Sequence, residues 1–172
     1  MEKTALLVID VQQGLFERES PIYKEAKFLD ILNSVIDRAR EAGVPVIFIQ
    51  HSNDSTLVRG SRSWKLHQDI QPLKSESIVN KRQGNAFAGT DLKEMLTSLG
   101  VKAVVTTGIA TQWCVRATTL GALDLGYDVT VISDGHSNFS KGAKRLINKW
   151  NNTFSEKGAS LILARDVEFS QE

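Results

Sequence analysis

Short runs of consecutive apolar residues alternate along this chain with segments of helical periodicity, and this alternation constrains its fold more than any other feature. Continuous apolar runs are typical of strands that are buried on both faces of a sheet. Between the first two runs, Phe28, Leu32 and Ala39 recur at the spacing of an amphipathic helix. The predicted strands cover residues 6–9, 46–49, 77–81, 103–107, 129–132 and 159–163, and the predicted helices cover about 28–39, 90–99, 111–125 and 139–157.

The order of these elements predicts an α/β fold. Strands that are separated by helices are usually parallel and joined by right-handed crossovers. We therefore expect a doubly wound, mainly parallel six-stranded sheet of the Rossmann-like type, with helices on both faces. We expect one domain over residues 1–172, because this length suits a single core. Residues 52–76 form a long polar connection, and such connections often act as lids or binding segments.

Charge and cysteine content argue against several functional classes. The formal net charge is +1, and no run of lysine and arginine is long enough for a nucleic-acid patch. We therefore expect neither a nucleic-acid nor a membrane partner. Cys114 is the only cysteine, so no intrachain disulfide and no zinc knuckle can form. The first apolar run is too short for a membrane span and lacks a signal-peptide cleavage site, which predicts a cytoplasmic location.

Three reactive side chains fall at the carboxyl ends of predicted strands, where ligands of doubly wound sheets bind. Asp10 ends the first strand, Lys81 ends the third, and Cys114 follows the fourth after a turn at Gly108. A thiol in the first turn of a helix lies near the positive end of the helix dipole, which favours the nucleophilic thiolate. Asp10 could accept its proton as a general base, and Lys81 could stabilise both negative charges.

Each of these residues also has an ordinary structural interpretation. A lone cysteine often packs as a small apolar side chain. An aspartate after a strand often caps the next turn, and a lysine there is usually solvated. Only the convergence of Asp10, Lys81 and Cys114 at one edge of one sheet favours a catalytic site.

Three motifs resemble those of the isochorismatase-like cysteine hydrolases, in the order and spacing found in that superfamily. The superfamily includes nicotinamidases and carbamoylsarcosine amidases. The resemblance covers nearly the whole chain and implies the fold predicted above. The motifs are LVIDVQ at residues 7–12, VNK at 79–81 followed by Ala86 and Phe87, and TGIATQWCV at 107–115.

The resemblance also implies roles for individual residues. Asp10, Lys81 and Cys114 correspond to a catalytic triad, and the peptide bond between Ile109 and Ala110 is expected to be cis. The N–H groups of Ala110 and Cys114 would then form an oxyanion hole. Cys114 would attack an amide carbonyl, ammonia or an amine would leave, and water would hydrolyse the resulting thioester.

The positions that hold a metal in nicotinamidases differ in this chain. Where the resemblance implies aspartate and histidine after the second strand, the sequence has His51 and Asn53. His67 could pair with His51, but two imidazoles without a nearby carboxylate make a weak metal site. We therefore expect no metal and no cofactor. True isochorismatases usually lack the cysteine, so Cys114 favours the amidase branch, and segments such as Trp64-x-x-His67 resemble its nicotinamidase-related subgroup, which includes streptothricin hydrolase.

Four aromatic side chains are candidates for an apolar substrate pocket, namely Phe16, Trp64, Phe87 and Trp113, although core packing is the alternative for each. His136 follows the predicted fifth strand at the carboxyl edge of the sheet, and we expect it in a turn; the alternative is a polar residue that supports the site.

The predicted function is that of a cysteine hydrolase that cleaves a C–N bond in a small amide, lactam or ureide. The resemblance further implies a homodimer or homotetramer. One alternative is a vinyl ether hydrolase of the isochorismatase type, and another is a non-catalytic small-molecule-binding module on the same fold. A redox sensor based on Cys114 is less favoured, since no second cysteine could resolve an oxidised thiol.

Overall fold

The computed structural model describes residues 3–169. It contains six strands, which are β1 Thr4–Ile9, β2 Val46–His51, β3 Ser77–Lys81, β4 Ala103–Ile109, β5 Asp128–Ser137 and β6 Ser160–Ile162. The helices are α1 Gln13–Phe16, α2 Glu25–Glu41, α3 Leu92–Ser98, α4 Arg116–Asp124 and α5 Ala143–Glu156, together with a π-helical turn over Thr111–Val115 and a 3-10 turn over Ala164–Asp166.

The strands form one parallel sheet in the order β3-β2-β1-β4-β5-β6. The strand order reverses at β1, which lies between β2 and β4. The predicted doubly wound, six-stranded parallel sheet is therefore confirmed. The predicted single domain includes residues 1–2 and 170–172, which lie outside the described part of the chain.

Side chains of β1 alternate between two apolar layers, as the period of a strand requires. Leu6 and Val8 pack with Phe28 and Leu32 of α2 on one face of the sheet. On the other face, residues of β1 pack with helices α3, α4 and α5, and that layer includes Leu7, Ile9, Leu92, Leu96, Ala122 and Phe154. Because both faces are covered, the strands read as continuous apolar runs in the sequence.

The end of β4 differs from the prediction, because Gly108 does not form a turn. It lies inside β4, opposite Ile9 of β1, with a φ of 128°. A Cβ at this position would overlap the backbone of Ile9. Glycine is therefore required here for close approach of two central strands. The turn comes after Ile109, and Thr111–Val115 and α4 replace the single predicted helix over 111–125.

The prediction that His136 lies in a turn was wrong. Strand β5 continues to Ser137, five residues beyond its apolar run, and contains the buried His136. Hydrogen bonds replace apolar packing in this extension. The two ring nitrogens of His136 lie 2.9 Å from Thr111 Oγ1 and 2.8 Å from Asn151 Oδ1. A strand stabilised in this way carries no apolar run that sequence analysis could detect.

The long connection between β2 and β3 contains no helix or strand, as predicted, and it is tied to the sheet by Gln12. The buried Gln12 side chain donates to the carbonyl oxygens of His51 and Trp64 and accepts the N–H of His51. An isolated bridge also pairs Gln12 with Leu66. These contacts hold the connection beside the carboxyl edge of the sheet. Within residues 3–169, no helix has the length and apolar character needed to cross a membrane.

Candidate active site

Asp10, Lys81 and Cys114 meet at the carboxyl edge of the sheet. Lys81 pairs with His51 in the register of β2 and β3, and its side chain crosses the end of β2 to reach Asp10. Lys81 Nζ donates a hydrogen bond to Asp10 Oδ2 over 2.8 Å and another to Cys114 Sγ over 3.3 Å. One ammonium group therefore contacts both a carboxylate and a thiol.

His51 provides a third acceptor for the same ammonium. Lys81 Nζ lies 3.1 Å from His51 Nδ1. Burial, with the charge of Lys81 as the next cause, lowers the pKa of His51, so its ring is neutral at neutral pH and Nδ1 can accept. A lysine ammonium has three N–H donors. The donors of Lys81 are matched by Asp10, His51 and Cys114, and we call these four residues the lysine cluster.

The ion pair in the lysine cluster is buried. Asp10 is 1% exposed and Lys81 is 2% exposed. A charge can be buried at tolerable cost only when it is paired, and here each charge compensates the other. The second carboxylate oxygen, Asp10 Oδ1, is also buried and has no hydrogen-bond partner within the described residues. Asp10 thus retains one oxygen that is free to accept a proton.

The Cys114 thiol is protonated in the free protein. Burial raises its pKa to about 12, the negative charge of Asp10 adds to the rise, and the opposing effect of Lys81 is smaller. The prediction of a thiolate favoured by a helix N-terminus was therefore wrong. Cys114 is the fourth residue of the π-helical turn, and α4 begins only at Arg116. A reaction at this sulfur needs a base, and Asp10 is the adjacent one.

The metal site of nicotinamidases does not fit these residues. Ligand atoms of Asp10, His51 and Cys114 lie within 4.8 Å of one another, but the ammonium of Lys81 already contacts all three. Asn53 Oδ1 accepts the backbone N–H groups of residues 55, 56 and 57. His67 is not part of the group. Asp10, His51 and Cys114 therefore serve as hydrogen-bond acceptors for the Lys81 ammonium.

A cavity of about 250 Å³ opens onto the lysine cluster. Asp10, His51, Cys114 and Ala110 form part of its lining. The peptide bond between Ile109 and Ala110 is cis, and the N–H of Ala110 has no hydrogen-bond partner within residues 3–169. Asn53, Thr56 and Ile109 also line this space. The remaining five lining residues are called the cavity wall, namely Leu15, Arg18, Leu57, Trp113 and Phe139.

Of the four aromatic candidates for substrate binding, only Trp113 lines this cavity. Phe16 packs on the ring of His67, with centroids 4.4 Å apart, and its neighbour Leu15 lines the cavity instead. Phe87 stacks on Tyr127 within the opposite apolar layer. For both residues the alternative of core packing is the observed one.

Trp64 is also placed elsewhere. Its Nε1 donates to Ser52 Oγ over 3.2 Å, and the residue lines a separate cavity of about 480 Å³ beside β3. The larger cavity includes Ile78 of β3 but none of the lysine cluster. The sequence does not show in which direction the side chain of a tryptophan points when the residue lies in a long connection without periodicity.

Sequence analysis missed most of the cavity wall. Leu15, Arg18, Leu57 and Phe139 lie in connections or in the short helix α1, where no periodicity shows the direction of a side chain. Phe139 follows β5 by two residues, but the predicted strand ended at residue 132, so the sequence did not place Phe139 at the carboxyl edge.

Comparison with known proteins identifies the family that the sequence motifs resemble. The isochorismatase domain model matches residues 4–159. Streptothricin hydrolase of Streptomyces noursei is 30% identical over 167 residues, which are 95% of this chain and 60% of that protein, so the chain spans less than two thirds of its length. Nicotinamidase 3 of Arabidopsis thaliana is 29% identical over 80% of this chain and 74% of its own. A crystal structure of an isochorismatase family protein superposes with a TM-score of 0.88 at 28% identity, covering 94% of this chain and 99% of the other.

Proposed function

Because the chain belongs to the isochorismatase family, we propose that it is a cysteine hydrolase that cleaves a C–N bond in a small amide, lactam or ureide. One observation carries this proposal. A single buried ammonium, Lys81, contacts both the carboxylate of Asp10 and the thiol of Cys114 at the base of a cavity. A nucleophile beside a base that is held by a third group is the arrangement used in covalent catalysis.

The first step forms a tetrahedral intermediate, which becomes the thioester when the amine leaves in the second step. Cys114 Sγ attacks the carbonyl carbon as its proton passes to Asp10 Oδ1, so the carbon–sulfur bond forms while the carbonyl oxygen becomes negative. The N–H of Ala110, which has no other partner within residues 3–169, and that of Cys114 stabilise this oxyanion. Lys81 lowers the energy of the negative charge as it moves from the carboxylate to the developing oxyanion.

The second step releases the amine. The oxyanion collapses, the carbon–nitrogen bond breaks, and Asp10 gives its proton to the leaving nitrogen. Asp10 then takes a proton from water, which attacks the thioester carbonyl. The carbon–sulfur bond breaks, Cys114 regains the proton, and a carboxylic acid leaves, or a carbamic acid where the substrate is a ureide. His51 takes no proton in this cycle, because its role is to hold Lys81 in position through Nδ1.

One relative supports C–N bond chemistry through its name, since it is a nicotinamidase. The cytoplasmic location and the homodimer or homotetramer stay predictions.

The test is release of ammonia or amine from a panel of primary amides, ureides and lactams, with wild type and Cys114→Ala. We expect turnover by wild type, none by Cys114→Ala, and an acyl adduct on Cys114 in intact-protein mass spectra. A chelator should leave turnover unchanged. Turnover that survives Cys114→Ala would overturn the thioester route.

A further inference from the structure

One cation in the cavity wall has no part in the reaction described above. Arg18 lies in the exposed connection between α1 and α2 and lines the same cavity as Cys114. Its guanidinium carbon lies 4.3 Å from the centre of the Phe139 ring. Within residues 3–169 it forms no ion pair and no hydrogen bond. The adjacent Glu17 is bound to Arg62 instead, over 2.6 Å.

The aromatic part of the cavity wall lies next to this guanidinium. The rings of Trp113 and Phe139 are 5.2 Å apart and tilted by 40°. Trp113 is 48% exposed, although it directly precedes Cys114 in the chain. Exposed apolar side chains that are grouped beside a cavity often mark a ligand-binding surface, whereas a single exposed apolar residue does not. Stacking uses the face of a guanidinium and leaves its N–H edge available.

The charges around the cavity do not cancel. Asp10 and Lys81 compensate each other, and the raised pKa of Cys114 and the lowered pKa of His51 leave both groups neutral at neutral pH. Among the ionisable residues that line the cavity, Arg18 is therefore the one with an uncompensated charge. A positive cavity attracts anions and rejects cations.

We propose that Arg18 is a specificity residue that binds a carboxylate on the substrate, while Trp113 and Phe139 pack against the carbon skeleton between that carboxylate and the amide. The inference rests on the proposed function and narrows it to amides or ureides of small acids. A guanidinium presents paired donors that match the two oxygens of a carboxylate. The cavity, at about 250 Å³, is smaller than the roughly 300–1,000 Å³ of most ligand sites, which favours a single ring or a short chain.

The first test compares two matched substrate pairs, 4-carbamoylbenzoate with its methyl ester and succinamate with its methyl ester, by ammonia release. We expect wild type to prefer each acid in kcat/KM. Arg18→Gln should lower kcat/KM for the acids by roughly tenfold, which corresponds to one charge-assisted hydrogen bond at a partly exposed site. The esters should be unaffected, and Arg18→Lys should restore part of the preference. The control is Arg145→Gln, an exposed arginine on α5 outside the cavity.

The second test measures binding without turnover. The Cys114→Ala variant is titrated calorimetrically with terephthalate and with its dimethyl ester, at low and at physiological salt. We expect the dianion to bind more tightly, more so at low salt, and to lose that advantage when Arg18→Gln is added.

The two tests separate the inference from the proposed function. Arg18-dependent terephthalate binding without amide turnover would support this inference while the proposed function fails. Turnover with equal acid and ester rates, unchanged by Arg18→Gln, would overturn the inference alone. Absence of both turnover and Arg18-dependent binding would also overturn the inference about Arg18.

Discussion

The lysine cluster and the cavity wall face the same space but are held in place by different parts of the fold. Asp10, His51 and Lys81 stand at the ends of parallel strands, and the Asp10–Lys81 pair is almost fully buried. Leu15 and Arg18, by contrast, come from a short helix and an exposed connection. The register of the sheet therefore fixes the lysine cluster, while local loop geometry fixes the wall. We expect changes in the cluster to affect chemistry and stability strongly, and changes in the wall to affect selectivity.

The largest expected effect comes from Asp10→Asn, which removes the base but keeps the shape. Turnover should fall by roughly 10²–10⁴-fold, the usual contribution of general base catalysis. Alkylation of Cys114 by iodoacetamide should become faster, because the charge of Asp10 raises the pKa of the thiol. In wild type, with a thiol pKa of about 12, the alkylation rate should keep rising with pH and reach no plateau below that value. Peptide mass spectrometry measures the modified fraction.

Because unfolding would also lower turnover and speed alkylation, urea denaturation must show that Asp10→Asn stays folded under the assay conditions. Asp54→Asn is the control, since Asp54 is an exposed aspartate paired with Arg82. Slower alkylation in Asp10→Asn, or turnover close to that of wild type, would contradict the assigned role.

The next effect concerns stability. Lys81→Met leaves the carboxylate of Asp10 buried without its ion-pair partner, and such a change costs about 3–5 kcal/mol of unfolding free energy. Urea denaturation of both proteins measures the difference. The double variant Asp10→Asn with Lys81→Met should lose less than the sum of the single variants, because no unpaired charge remains. Arg82→Met, at the adjacent exposed position, should stay within about 0.5 kcal/mol of wild type. A loss below about 1 kcal/mol for Lys81→Met would show that water reaches the pair.

Two glycines with positive φ extend the comparison to the backbone. Gly108, in β4, has no room for a Cβ because of the backbone of Ile9, whereas Gly60, in the 52–76 connection, has no atom within 4 Å of that position. Gly108→Ala should cost about 3 kcal/mol or more, and Gly60→Ala about 1 kcal/mol from conformational strain alone. Thermal unfolding of both variants measures the contrast. Equal losses would mean that β4 moves to accommodate the methyl group.

The contrast between the lysine cluster and the cavity wall also explains which features could be predicted from the sequence. Apolar runs locate the strands, and the carboxyl ends of parallel strands share one edge, so the meeting of Asp10 with Lys81 followed from the order of elements. The protonated state of Cys114 did not follow, because it depends on burial and on the distance to Asp10. Nor did the burial of His136, whose strand is stabilised by hydrogen bonds to Thr111 and Asn151.

The wall was the least predictable region. Leu15 and Phe16 are neighbours in a four-residue helix, and only the structure shows which of the two lines the cavity. No periodicity can be read from one helical turn, and the sequence favours the larger aromatic side chain as the substrate contact, whereas Leu15 lines the cavity. The direction of Trp64 is equally hidden, since its contact with Ser52 depends on how the 52–76 connection folds back.

The smallest expected effect tests this neighbouring pair. Leu15→Ala should raise KM for an aromatic amide by roughly threefold to tenfold, since one partly buried apolar contact contributes about 1 kcal/mol. Phe16→Ala should change KM by less than about twofold and should instead lower the unfolding temperature, because its ring packs on His67. Steady-state kinetics and thermal unfolding of both variants give the four values. A KM effect confined to Phe16→Ala would mean that α1 turns toward the substrate with its other face, and the cavity wall would then include Phe16 in place of Leu15.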